Sequence, residues 1–118
     1  MRYMMNYKRG DVVLVPFPFT DLTTIKQRPA LIISSGKFNS MQEDAIIVAI
    51  TSNITERRTK YEYRMTVAEQ KEAGLPKTAI VRCGKILTID QRLIRRKLGL
   101  LPDTTVTRIV EIFDIIIG

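Results

Sequence analysis

The sequence predicts a mostly β fold, a compact and largely antiparallel barrel of five or six short strands with one C-terminal helix. Three observations predict it. Asp11–Phe17, Pro29–Ser34 and Ala45–Ile50 are strand-length runs rich in β-branched or apolar residues, set between polar segments. Sustained helical periodicity is confined to the tail. No helix-length pattern alternates with the strands, as a βαβ sheet would require.

Taken in order, Asp11–Phe17 (DVVLVPF) reads as a strand, with Pro16 and Pro18 marking its end or an edge because proline cannot donate to a ladder. Thr20–Gln27 reads as a loop, and Pro29–Ser34 and Ala45–Ile50 as buried strands flanking the polar, loop-like Gly36–Asp44. Ser52–Thr59 is a second polar loop. In Tyr61–Val67 the larger apolar residues Tyr61, Tyr63, Met65 and Val67 alternate with Glu62, Arg64 and Thr66, the pattern of a half-buried strand. Ala68–Gly74 makes one helical turn stopped by Gly74 and Pro76. Thr78–Val81 and Lys85–Ile89 are short strands interrupted at Gly84, a bulge or close-approach site. Leu98–Leu101 is apolar and of undetermined type. Pro102, Asp103 and Thr104 start a helix whose stripe is Val106, Ile109, Val110, Phe113, Ile116 and Ile117. Ile112 and Ile115 widen that stripe, which favours a contact with another subunit over deep burial.

Composition narrows the function. The 118 residues, 45% hydrophobic, are one domain's worth of chain, 1–118, with 1–7 an N-terminal tail. No apolar run approaches the about 18 residues of a membrane span. The N-terminus has no apolar signal core, and a lone Cys83 cannot form an internal disulfide; a cytoplasmic domain without membrane contact is expected. The chain has no histidine. That removes Ser–His–Asp hydrolases, Cys–His proteases, His–His ribonucleases and the common zinc sites. The net charge of +7 favours an acidic partner, nucleic acid above all. No dinucleotide glycine cluster, P-loop, paired-cysteine zinc motif or calcium loop occurs.

Lys8-Arg9-Gly10-Asp11-Val12-Val13, Gln27-Arg28-Pro29-Ala30-Leu31-Ile32-Ile33, Ala49-Ile50-Thr51-Ser52, Val81-Arg82-Cys83 and Leu87-Thr88-Ile89-Asp90 follow one another in that order. The series resembles the MazF/PemK family of type II toxin–antitoxin ribonucleases, over nearly the whole chain. The resemblance implies an SH3-like β-barrel with a C-terminal helix, of the MazF/PemK/CcdB type, acting as a homodimer. It implies a toxin that cleaves single-stranded RNA, usually messenger RNA, without a metal or other cofactor. The ribose 2′-hydroxyl attacks its own phosphodiester, leaving a 2′,3′-cyclic phosphate and a 5′-hydroxyl, and a cognate antitoxin occludes the RNA groove.

Such self-cleavage needs a base for the 2′-hydroxyl, stabilisation of the phosphorane and an acid for the leaving 5′-oxygen. By the resemblance, Arg28, Thr51, Ser52 and Arg82 are the catalytic candidates. Arg28 offers a planar fork for phosphate but is too basic to be a general base. Its plainer reading is a surface arginine at a strand start. Thr51 can donate a hydrogen bond without adding charge, or simply cap its strand. Ser52 is equally at home in a turn. In the PemK branch an aspartate two residues after the Arg82 position serves as base; here that position is Gly84. Three explanations stand open: Arg28 and Thr51 carry the reaction, Asp21 substitutes, or the nuclease is weak or silenced.

The resemblance also places Phe19, Thr20, Lys26, Gln27, Asn53, Arg57 and Lys85 at the RNA. Aromatic rings stack on unpaired bases there, and cations track phosphates. Phe17 is expected to turn inward, Arg92, Arg95, Arg96 and Lys97 to form a solvated face, and Cys83 to be a small core residue. Two other readings compete. A gyrase poison of the CcdB type shares the fold without cleaving RNA and needs a C-terminal anchor rather than Arg28 and Thr51. A non-catalytic RNA-binding barrel is favoured by Gly84.

Overall fold

The computed structural model describes residues 7–18, 25–53 and 59–118. The strands are β1 (Asp11–Pro18), β2 (Ile25–Ile32), β3 (Asp44–Thr51), β4 (Glu62–Arg64), β5 (Ile80–Asp90) and β6 (Arg96–Leu100). All pairings are antiparallel, in the order β4-β5-β3-β2-β1-β6, giving one curled sheet that forms a half-barrel. Among the described residues, three α-helices accompany it, α1 (Gly36–Met41), α2 (Val67–Glu72) and α3 (Asp103–Ile117), with a 3-10 turn at Gln91–Leu93.

The continuous apolar runs of β2 and β3 have a simple cause, since both faces of the central strands are covered. On one face Leu31, Val48, Ile50, Val81 and Cys83 meet Leu75 and, from α3, Val106 and Ile109. On the other, Val13, Val15, Ala30, Ile32, Ile47 and Ile89 meet Tyr7 and Ile94, with Phe17 partly buried against them. Tyr7, in the segment read as a tail, is itself buried. Pro16 and Pro18 fall within β1, opposite Gln27 and Ile25. They are tolerated because β6 pairs with β1 only from Asp11 to Leu14.

Several elements differ from the sequence reading, each for a local reason. β2 begins at Ile25, inside the expected loop, because it pairs with the proline-rich end of β1. Gly36–Met41 is helical rather than a loop. Ser35 caps it by accepting the Phe38 N–H at 3.1 Å, and buried Asn39 donates to the Tyr7 carbonyl at 2.7 Å. Tyr61–Val67 is not one strand: only Glu62–Arg64 pairs, Tyr61 is exposed, and Val67 is 64% exposed. Thr66 and Glu69 form a capping box that turns the chain into α2. The segments around Gly84 are one strand, β5, with a bulge in the middle. Arg82 opposes Ala49 and Ile86 opposes Val48, so Cys83, Gly84 and Lys85 have no counterpart on β3. Leu98 and its neighbours form β6.

In α3, Ile112 packs on the core but Ile115 and Ile117 are exposed, Ile117 against expectation. The helix outruns the sheet, and Ile116, which approaches Gly84, is the last of its residues to pack on that core.

Two buried carboxylates tie the layers together. Asp11 accepts the Lys8 N–H and pairs with Lys97 of β6 at 3.1 Å. Glu69 of α2 accepts the Thr66 N–H at 2.8 Å, the Tyr63 hydroxyl at 2.8 and 3.0 Å, and the Thr105 hydroxyl of α3. Burial works to raise the Glu69 pKa, but the hydrogen bonds from Thr105, Thr66 and Tyr63 together outweigh it and hold the carboxyl below its ordinary range. The folded state then binds fewer protons at this site than the unfolded state, so stability is full above the unfolded value of about 4.3 and is lost as pH falls through the folded value. Acid titration of the unfolding free energy should therefore show a loss below about pH 4, and Glu69→Gln should be less stable at neutral pH with a shallower acid limb.

Gly74 ends α2 at φ +73°, and a β-carbon there would lie 2.0 Å from the Leu98 carbonyl oxygen. Gly99, on the facing strand, would meet the Glu72 carbonyl at 2.3 Å. The end of α2 thus rests directly on the backbone of β6. Gly74→Ala should lower stability by about 3 kcal/mol in urea unfolding, through the clash and the left-handed backbone together.

Candidate active site

Directly opposed residues of an antiparallel sheet point to the same side, and residues two apart on one strand share a face. Ala30 opposes Ala49, Ala49 opposes Arg82, and Arg82 opposes Glu62, which makes one row across β2, β3, β5 and β4. Arg28 lies two residues before Ala30, and Thr51 two after Ala49, so both sit one row along on that same face. Ala30 is fully buried in the second core and Ala49 is half-buried, so the two arginines stand on either side of small residues at the margin of that core. Strand spacing and rise put the Arg28 and Arg82 backbones roughly 12 Å apart, a gap that two arginine side chains can close.

Arg28, Thr51 and Arg82 are all half-buried. The Thr51 Oγ1 accepts the Asn53 N–H at 3.1 Å, the capping role open to any strand-end threonine. A hydroxyl accepts and donates at once, so capping leaves its proton for another acceptor. The Arg82 Nε lies 3.5 Å from Oε2 of Glu62.

Ser52 follows the strand and is exposed. It lines a cleft of about 160 Å³ with Arg28, Pro29, Ile50, Leu75, Pro76, Lys77 and Ala79. Lys77, a cation beside Arg28 and Ser52, is a residue that sequence reasoning passed over. Lys26 and Gln27 are exposed on β2, beyond Arg28, and Asn53 is exposed just past Thr51. Lys85 is exposed too, but in the β5 bulge, on the opposite side of the Arg82 row from Lys26. Phe19, Thr20, Asp21 and Arg57 lie outside the described residues.

Glu62 is the other residue missed. Alternation put it on the solvent side of an isolated strand, and only the pairing of β4 with β5 sets it against Arg82. Gly84 is exposed, and a β-carbon there would find only the Ile116 Cδ1, at 4.0 Å. The Cys83 thiol is buried as expected, and burial, aided by the Glu62 charge, pushes its pKa up to about 11. At neutral pH it is held as the thiol. Arg92 pairs with Asp90 at 2.7 Å, and Arg95, Arg96 and Lys97 are exposed on the far side of β1. Among the described residues no three His, Cys, Asp or Glu side chains gather as a metal site, and no helix is long and apolar enough to cross a membrane.

This chain and its arrangement of strands have parallels among known proteins. The endoribonuclease MazF of Staphylococcus epidermidis is 26% identical over 117 residues, covering 94% of this chain and 91% of that protein. A mycobacterial endoribonuclease solved in complex with its cognate antitoxin superposes with a TM-score of 0.75 at 22% identity, over 95% of each chain. MazF of Deinococcus radiodurans gives 0.77 at 17% identity, over 97% of this chain and 98% of that one. At those identities the two structures speak for the fold. The family model of the PemK-like, MazF-like toxins of type II toxin–antitoxin systems matches residues 8–117. By that match, which spans nearly the whole chain, the protein belongs to that toxin family.

Proposed function

We propose that the protein is a metal-independent endoribonuclease, the toxin of its pair, which cuts single-stranded RNA, including messenger RNA, at short sequences. The observation that carries this reading is the common face of Arg28, Thr51 and Arg82 across three adjacent strands. In the reaction the ribose O2′ forms a bond to phosphorus while the bond from phosphorus to O5′ breaks. The O2′ proton must leave and O5′ must gain one, giving a 2′,3′-cyclic phosphate and a 5′-hydroxyl.

Arg28 supplies a fixed positive charge and forked donors to the phosphorane oxygens, where charge grows in the transition state. Thr51 adds a neutral hydrogen bond. Arg82, across the alanine row, binds the same phosphate or its neighbour and steadies the leaving oxygen. Ser52 and Lys77 line the cleft that receives the adjoining nucleotide. Lys26, Gln27, Asn53 and Lys85, with Phe19, Thr20 and Arg57, track the strand on either side of the cut.

The same reading assigns the partners. A net charge of +7 suits both an RNA and an acidic antitoxin. Exposed Ile86, Ile115 and Ile117, around the free end of α3, suit a homodimer contact. Action on messenger RNA places the protein in the cytoplasm. A silenced, RNA-binding barrel is the second reading, favoured by Gly84 in the position of the family's carboxylate.

Purified protein incubated with defined single-stranded RNA in excess EDTA should yield fragments ending in 2′,3′-cyclic phosphate by mass spectrometry. Intact RNA across many sequences would select the silenced barrel. Arg28→Ala should reduce the cleavage rate by about 100-fold or more while leaving the fold unchanged. Gly84→Asp fits the open space at the bulge, so its stability should stay within about 0.5 kcal/mol of the parent. Cleavage by that variant at neutral pH should rise at least about tenfold in a single-turnover assay, as expected for an added general base.

A further inference from the structure

We propose that Glu62 is a positioning residue for Arg82. Its carboxylate ties the guanidinium to the backbone at Thr59 and so limits the orientations open to Arg82. The proposal rests on the RNA-cleaving reading and names a residue that reading does not use.

Both oxygens of Glu62 are engaged on different parts of the chain. Oε2 lies 3.5 Å from Arg82 Nε on β5, and Oε1 accepts the Thr59 N–H at 3.2 Å. The carboxylate therefore cannot swing without giving up one of two contacts. Its side chain is 15% exposed and that of Arg82 33%, so the pair is more sheltered than an ordinary surface ion pair. The register places the two residues directly opposite, which fixes the approach at the backbone level. β4, three residues long at the edge of the sheet, is the element that delivers this carboxylate. A carboxylate beside Arg82 reduces the net charge there, so the contribution must come from orientation. An arginine already held in place loses little side-chain freedom when phosphate arrives.

The test is a double-mutant cycle on RNA cleavage by the full chain, with Glu62→Gln, Arg82→Ala and the combined variant. Glutamine keeps the shape and one acceptor oxygen but turns an amide N–H toward the guanidinium or toward Thr59. Glu62→Gln should lower kcat about tenfold with KM within about twofold of the parent. In the Arg82→Ala background it should change nothing further. The Arg82 Nε–H should be protected from solvent exchange by NMR in the parent and lose protection in Glu62→Gln, a readout that needs no RNA. A Glu62→Gln protein that cleaves like the parent overturns the proposal. So does a loss of the same size when Arg82 is already alanine, or unchanged exchange at the Nε–H. If Glu62→Gln fails to fold, Glu62→Asp, with its shorter reach, is put through the same cycle against the same criteria. A parent that leaves RNA intact while its Nε–H is protected through Glu62 defeats the cleavage reading and with it the catalytic part of this role.

Discussion

The constraint on which the rest of the structure depends is the burial of the central strands β2 and β3 on both faces, with β5 registered against β3. In a sheet with one wet face, a strand can slip with penalties on one side only. Here a slip of one residue would exchange the members of two separate cores and drive Arg28, Thr51 and Arg82 to the opposite face. The apolar residues that make the sheet insoluble on either side are thus what hold the basic row in register. The bulge at Cys83, Gly84 and Lys85 works within this frame. It lets β5 change phase against β3, so that Arg82 can share a row with Ala49 while Leu87 and Ile89 still meet the second core.

Polar burial completes what apolar burial begins. Asp11 joins the first turn to β6, and Glu69 joins α2, β4 and α3. Gln91 donates to the carbonyls of Asn39 and Gln42, which binds the short turn after β5 to the end of α1. Each of these side chains has more than one partner, and each reaches beyond its own element. Burying a polar side chain is costly unless such bonds form, so each network admits few alternative arrangements. The glycines at 74 and 99 add a backbone-to-backbone contact that no larger residue would permit.

The proposed active-site face is built with little apparatus: two arginines, a threonine and a glutamate on adjacent strands, without a histidine anywhere in the chain. In the RNA cleavage we propose, the main difficulty is charge on a phosphorane, and half-buried arginines are the groups suited to offset it. Proton transfer is the part of that proposal with the fewest groups to supply it, and Gly84 leaves room for a carboxylate.

Much of this was legible from residues alone. The apolar runs of β1, β2 and β3, the periodic tail and the ordered motifs around Arg28, Thr51 and Arg82 are local patterns, and local patterns reflect which face of each element is buried. Even the break at Gly84 was readable, since a glycine within a strand pattern commonly marks a bulge. What sequence reading missed shares a different cause. Glu62 acquires its place only when β4 pairs with β5, across a stretch of chain that no periodicity links. Asn39 stabilises α1 through the distant Tyr7 carbonyl, and Lys77 reaches the cleft because α2 folds back against β6. The sequence by itself determined which elements form and which residue types are available for the chemistry, because those depend on neighbours a few positions away. Only the tertiary structure decided which side chains face one another, because long-range register is set by the simultaneous closure of two cores.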